Sequence, residues 1–113
     1  MVNSYIPKQG DIVYINFNPT KGHEQSGYRP AIIISNDYFN IYTKMVILCP
    51  ISSNDKSFPT HYTLEDSKKI HGTVFCEHMR SIDYENRKIK FIEKASSNDL
   101  ISIMMLSMSC IDN

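Results

Sequence analysis

Short apolar runs separated by polar, turn-rich segments make up most of the chain. The clearest run covers residues 44–51 (KMVILCPI); it is too short for a typical helix and is rich in residues that favour strands. The same reasoning predicts further strands at residues 11–17, 28–35, 60–64, 72–82 and 88–92. Because helical patterns separate few of these runs, we expect one antiparallel sheet curled into a small barrel. The length predicts a single domain, residues 1–113.

Two segments predict helix. Residues 36–42 are polar and aromatic and predict about one helical turn. Near the end, Ser96 and Asp99 form a helix-start box before an apolar stretch, LISIMMLSMSCI. This C-terminal helix carries one apolar stripe at Leu100, Ile103, Met104 and Ile111 and another at Ile101, Met105 and Met108. One small barrel does not easily cover both stripes, so we expect a homodimer; the alternative is a helix buried entirely in a groove of its own barrel.

The polar segment between the first two predicted strands carries more reactive side chains than a turn requires. Arg29 lies near the start of the second predicted strand, and its backbone is biased towards extended geometry because Pro30 follows it. Rigidly held loops are where binding and catalytic groups concentrate. We therefore interpret Arg29 as the centre of the site. The structural alternative is a strand-edge ion pair between Arg29 and Glu24.

Composition excludes several classes of protein. Twelve basic residues balance twelve acidic ones, which argues against non-specific duplex binding but allows a local basic site. No apolar run approaches the roughly 20 residues needed to cross a bilayer, and the N-terminus does not resemble a secretory signal. We expect a cytoplasmic protein without a membrane association. The spacing of Cys49, Cys76 and Cys110 predicts buried reduced thiols and no metal site or cofactor.

Four segments together resemble the MazF/PemK (Kid) family of toxin endoribonucleases. The most specific is residues 22–30 (GHEQSGYRP), which follows the opening GDIV at residues 10–13. Residues 50–53 (PISS) come after the third predicted strand, and residues 77–83 (EHMRSID) match the fifth. The resemblance runs over nearly the whole chain at matching spacing.

The resemblance implies a compact SH3-like antiparallel β-barrel with a C-terminal α-helix, forming a homodimer. Members cleave single-stranded RNA, such as messenger RNA, at short sequences without a metal. Cleavage leaves a 2′,3′-cyclic phosphate and a 5′-hydroxyl. A cognate antitoxin blocks the site with a flexible acidic tail. The alternative function is that of toxins with the same barrel that poison DNA gyrase without cleaving RNA.

Two departures from the family pattern change the expected chemistry. The usual Thr after the third strand is Ser52, which keeps the hydroxyl and loses a methyl group. The plasmid-borne branch has a catalytic Arg and Asp where this chain has Phe75 and Glu77, and His78 replaces a common Gln. An acid–base pair that uses the second Arg is therefore not transferable.

The predicted catalytic residues are Arg29, Ser52 and Glu24. Arg29 suits stabilisation of the phosphorane because its guanidinium is planar, always charged and matched to two phosphate oxygens. Ser52 is expected to bind or orient the scissile phosphate, unless it is an ordinary turn residue. The general base stays open among Glu24, His23, Glu77 and His78. For Glu77, a structural pair is the alternative.

Aromatic and basic residues of the loops are expected to bind the RNA. Phe17, Tyr28 and Phe58 are candidates for stacking on unpaired bases, although core packing is the alternative, most of all for Phe17. His61 and His71 are expected to be surface residues without a catalytic role. The remaining predicted RNA-binding residues are Thr20, Lys21, His23, Gln25, Ser53, Lys56, Glu77 and His78.

Overall fold

A computed structural model describes residues 5–17, 27–54 and 57–112. Within them the chain is mainly β with a C-terminal helix, which confirms the predicted fold class. Its elements are β1 (Asp11–Asn16), β2 (Tyr28–Ile33), α1 (Asp37–Thr43), β3 (Met45–Ser52), β4 (His61–Thr63), β5 (Thr73–Phe75), β6 (Arg80–Asp83), β7 (Ile89–Lys94) and α2 (Ser97–Ser109). Six predicted site residues lie outside the described residues: Thr20, Lys21, His23, Glu24, Gln25 and Lys56.

The described strands form one curled antiparallel sheet in the order β4-β5-β3-β2-β1-β7, with β6 also paired to β3. Their pairing does not close the sheet into a complete barrel, since β4, β6 and β7 each pair with only one other described strand. Strand β3 is central because it pairs with three others: β2, β5 and β6. No helix among the described residues is long and apolar enough to span a membrane.

The prediction of one continuous strand over residues 72–82 is wrong. Val74 lies opposite Ile51 and Arg80 lies opposite Leu48, so six residue steps face only three on β3. The extra residues leave the sheet as a short 3-10 turn, Cys76–His78. The strand geometry that would put Phe75 and Glu77 on the same face therefore does not apply to Glu77.

Apolar side chains pack on both faces of the curled sheet. One cluster, centred on residues such as Ile12, Ile32 and Cys49, lies beneath α2, where Ile103 is fully buried. The other, which includes Ile15, Ala31 and Leu48, packs on the opposite face.

Helix α2 is covered on one face and exposed on the other, as its two apolar stripes predict. Ile101, Met105 and Met108 are 59%, 68% and 61% exposed. Ile111, which was expected on the covered stripe, is exposed because the helix ends at Ser109. Cys110 is exposed for the same reason, so the expectation of buried thiols holds only for Cys49 and Cys76.

Candidate active site

Arg29 and Ser52 line one cleft where the β2–β3 ladder ends. The last pair of that ladder is Ala31 opposite Pro50, and Ser52 pairs instead with Thr73 of β5. Continued for two more residues, the β2–β3 register would bring Arg29 opposite Ser52. The cleft has a volume of about 410 Å³. Its lining residues are Tyr14, Tyr28, Arg29, Pro30, Ile51, Ser52, Ser53, Lys69, Ile70 and His71.

The Ser52 hydroxyl is held in place by its own loop and by the neighbouring strand. Its Oγ accepts a hydrogen bond of 3.1 Å from the backbone N–H of Asn54, a turn that fixes the side chain and leaves its proton to donate. On the other side, the backbone of Gly72 lies against the Ser52 carbonyl, and a Cβ on Gly72 would come within 2.6 Å of that oxygen. A glycine is therefore required where β5 meets β3.

Tyr28 adds a flat aromatic surface to the cleft. Its ring is 58% exposed and stacks on Tyr14, with 5.6 Å between the ring centroids and 3° between the planes. The two residues lie diagonally across the β1–β2 ladder, where Asn16 pairs with Tyr28 and Tyr14 with Pro30. The stack presents an outer face to which another planar group can add.

Phe17 does not offer such a surface. It is fully buried within the second cluster, and the Arg80 guanidinium lies 5.5 Å from the centroid of its ring. The prediction that Phe17 stacks on RNA bases is wrong, because the inward face of β1 continues through this residue. One Nη of Arg80 is buried without a hydrogen bond in the part of the chain that the structure describes.

Glu77 and His78 form a separate polar group with His61 and do not line the Arg29 cleft. Glu77 accepts hydrogen bonds from Thr60 Oγ1 (2.6 Å) and His61 Nε2 (2.8 Å), while His78 Nε2 is 3.8 Å from the same carboxylate. His61 stacks on Phe75 at 3.9 Å between ring centroids, and exposed Phe58 packs against it. The expectation that His61 is a surface residue is wrong, since its side chain is only 7% exposed.

This arrangement predicts a pH-dependent contribution of Glu77 to stability. Burial alone would raise the pKa of Glu77, but hydrogen bonds from Thr60 and His61 outweigh it and lower the pKa below its ordinary value. A lowered pKa stabilises the fold above the unfolded-state pKa of about 4.3, and this contribution is lost as the pH falls through the folded-state pKa. Glu77→Gln should therefore destabilise the protein by about 1 kcal/mol at pH 7 and by progressively less below pH ~4.

Urea unfolding across this pH range measures the effect. The matched control is Glu85→Gln, which removes an exposed carboxylate outside this polar group. A Glu77→Gln cost that stays constant from pH 7 to pH 3 would contradict the ionic origin of the contribution.

Sequence reasoning placed neither Lys69 nor His71 in the site, and it expected His71 to be a surface residue without a catalytic role. Both are exposed residues just before Gly72, and the Ser52–Thr73 pair brings this segment alongside the cleft. Their position before a strand that pairs with β3 was the available signal. Arg29 and Lys69 together give the cleft a basic lining, which suits an anion such as a phosphodiester.

Comparison with known proteins identifies the fold and the family. Residues 8–105 match the family model described as the PemK-like, MazF-like toxin of type II toxin–antitoxin systems. The chain belongs to this family.

Individual PemK/MazF relatives agree along most of their length. The endoribonuclease toxin MazF of Escherichia coli (strain K12) is 33% identical over 77% of this chain and 78% of its own length. The crystal structure of MazF from Deinococcus radiodurans superposes with a TM-score of 0.91 at 32% identity, covering 97% of this chain and 100% of that one. A MazE–MazF structure from the same organism has a TM-score of 0.82 at 28% identity and covers 96% and 98%. The SH3-like description implied by the sequence is therefore appropriate.

Proposed function

We propose that this protein is a cytoplasmic, metal-independent endoribonuclease toxin that cleaves single-stranded RNA, such as messenger RNA, at specific short sequences. The observation that carries the proposal is that Arg29, Ser52 and the exposed residue Tyr28 line one cleft. A single strand suits such a cleft because its bases are free to stack, whereas the grooves of A-form helices hide base edges. The name of the E. coli relative supports the same activity.

In the proposed reaction the 2′-hydroxyl of the substrate attacks the adjacent phosphorus. A bond forms between the 2′-oxygen and phosphorus, the bond to the 5′-oxygen breaks, and the products are a 2′,3′-cyclic phosphate and a 5′-hydroxyl. Arg29 stabilises the negative charge on the phosphorane, and Ser52 donates a hydrogen bond to a non-bridging oxygen. A guanidinium holds its proton too tightly to be a good proton donor at neutral pH, so Arg29 is assigned no acid role.

Glu24, outside the described residues, is the proposed base that takes the proton of the 2′-hydroxyl. Among the alternatives, Glu77 and His78 are assigned to the His61 group, because they do not line the Arg29 cleft. Holding the 2′-oxygen in line with the leaving oxygen supplies a further part of the acceleration.

Incubation of the purified protein with mixed-sequence RNA in EDTA tests the function. We expect defined fragments with cyclic-phosphate and 5′-hydroxyl ends, and sequencing those ends gives the recognised sequence. Intact RNA, together with trapped gyrase–DNA complexes, would refute the nuclease and support the alternative function, a gyrase poison. Cleavage that requires an added metal ion would refute the metal-independent mechanism.

Two protein partners belong to the proposal. The exposed stripe of α2 (Ile101, Met105 and Met108) is proposed to take part in a homodimer, because such an apolar surface is unusual on a monomer. A cognate antitoxin is proposed as the inhibitor, supported by the MazE–MazF structure of the D. radiodurans relative. Sedimentation of the purified toxin with and without the antitoxin measures both assemblies.

Ser52 variants test the role of the hydroxyl. Ser52→Ala should lower turnover by about 10-fold or more with little effect on unfolding, because one hydrogen bond to the developing charge is lost. Ser52→Thr keeps the hydroxyl and restores the residue usual in the family, so it should retain most of the activity. If Ser52→Ala changes only thermal stability, Ser52 is a turn residue.

Gly72→Ala should reduce both stability and turnover. Its Cβ would lie 2.6 Å from the Ser52 carbonyl oxygen and 2.9 Å from Ile51 Cγ2, so β3 must shift at the cleft. Overpacking of this kind costs about 1–3 kcal/mol. Gly10→Ala is the control because it also strains the backbone (φ +91°) but meets only the side chains of Leu100 and Lys94. Equal turnover in the two variants would contradict a positioning role for Gly72.

A further inference from the structure

Tyr28 also lines a second cleft. This cleft has a volume of about 560 Å³ and shares Tyr28 with the Arg29 cleft. Its polar wall comes from the end of β1 and the β6–β7 turn. The residues that matter for the argument are Asn16, Tyr28, Asp83, Asn86, Arg87 and Lys88.

Hydrogen bonds fix the wall that the turn contributes. The Asp83 carboxylate accepts from the backbone N–H of Glu85 at 2.9 Å and from the Asn86 side-chain amide. Arg87 then ties the turn to β1 by donating to the Asn16 carbonyl at 2.7 Å. The cleft is therefore a built surface with its polar groups already in position.

The chemistry of this wall suits a nucleotide. Arg87 and Lys88 supply positive charge for a phosphate, and Lys88 is exposed and makes no ion pair with any described residue. Tyr28 supplies a stacking surface, and Asp83 and Asn86 supply acceptors for the donor edge of a base.

An apolar ligand or a peptide anchored by large apolar side chains fits the cleft less well. Apart from the Tyr28 ring, its lining offers only Ile82 as an apolar side chain, and Ile82 is 2% exposed. The volume lies within the range of small-molecule sites, about 300–1,000 Å³.

We propose that this second cleft is a nucleotide subsite for the RNA strand that is cut in the Arg29 cleft. Tyr28 is the shared wall on which a base stacks, and Lys88 and Arg87 bind a backbone phosphate. This inference rests on the proposed function, since it assigns the cleft to the same substrate. It makes the β6–β7 turn a determinant of which RNA sequences are bound.

The test measures binding separately from cleavage. The probe is a fluorescent pool of random 12-nucleotide RNA in which 2′-fluoro groups replace the attacking hydroxyls, and its affinity is followed by anisotropy at several salt concentrations. Lys88→Ala should weaken binding by about fivefold and reduce the slope of log K against log salt by about 0.7, the loss of one phosphate contact on a single strand. Lys88→Glu should weaken it further. Lys8→Ala, an exposed lysine outside both clefts, should match the wild type.

Cleavage of unmodified RNA by the wild type is measured in parallel, so that a failure of the subsite can be distinguished from a failure of the nuclease. If RNA is cut but Lys88→Ala and Lys88→Glu bind the probe like Lys8→Ala, the subsite is refuted and the nuclease is retained. If RNA is not cut but probe binding depends on Lys88, the nuclease is refuted and the nucleotide site is retained. If the Lys88 variants weaken only the binding of an acidic antitoxin peptide, the cleft is a protein-binding site and the subsite is refuted.

Discussion

Arg29→Ala is expected to lower RNA cleavage by about 10²–10³-fold at saturating substrate, the usual cost of losing one donor to developing charge in a partly desolvated site. The protein should remain folded, because Arg29 lies near the start of β2, before the residues of this strand that pair with β3. Single-turnover cleavage of a defined RNA in EDTA measures the rate, and urea unfolding measures the stability.

Arg29→Lys separates charge from geometry. A lysine keeps the positive charge but loses the planar fork that binds two phosphate oxygens, so its activity should stay far below that of the wild type. Lys8→Ala controls for the loss of a surface cation. Wild-type turnover in Arg29→Ala would remove Arg29 from the mechanism and leave the cleft without its main electrophilic group.

Asp99→Ala is expected to lower the free energy of unfolding by about 3–5 kcal/mol, a large part of the stability of a small domain. The carboxylate is fully buried and accepts from Tyr62 Oη (2.6 Å) and from the backbone N–H groups of Glu65 (3.2 Å) and Asp66 (3.0 Å). Alanine would leave all three donors without this acceptor. Urea unfolding at pH 7 measures the loss.

Two further variants serve as comparisons for the loss of stability in Asp99→Ala. Tyr62→Phe removes one of the three donors and should cost about 1 kcal/mol. Burial together with the Asp99 hydrogen bond raises the pKa of Tyr62 to about 12, so Asp99→Ala should also bring the titration of this phenol closer to its ordinary range. Asp112→Ala removes an exposed carboxylate beyond α2 and should change stability by less than about 0.5 kcal/mol. An Asp99→Ala cost as small as that of Asp112→Ala would refute the role of Asp99 in joining α2 to the sheet.

Local patterns predicted the elements whose partners are close in sequence. The strands predicted at residues 11–17 and 28–35 correspond to the neighbouring strands β1 and β2, and Ser96 begins α2 by accepting from the N–H of Asp99, as the helix-start box predicts. The pattern failed at residues 72–82, since an apolar run does not reveal that its two halves pair with β3 in different registers. The prediction for Phe17 failed for a related reason. This residue follows β1 and can be assigned to the loop from sequence alone, but its side chain continues the inward face of the strand and is fully buried.

By itself, the sequence determined the fold class and the family, because periodicity, turn residues and short motifs are local properties; it also predicted that Arg29 and Ser52 come together, and both line one cleft. Only the tertiary structure decided which residues surround that pair. Lys69 and His71 reach the cleft through the pairing of β5 with β3, and the β6–β7 turn reaches Tyr28 through the Arg87–Asn16 hydrogen bond. These contacts join residues far apart in the chain, and their geometry depends on strand register and on the curl of the sheet, which no local pattern specifies.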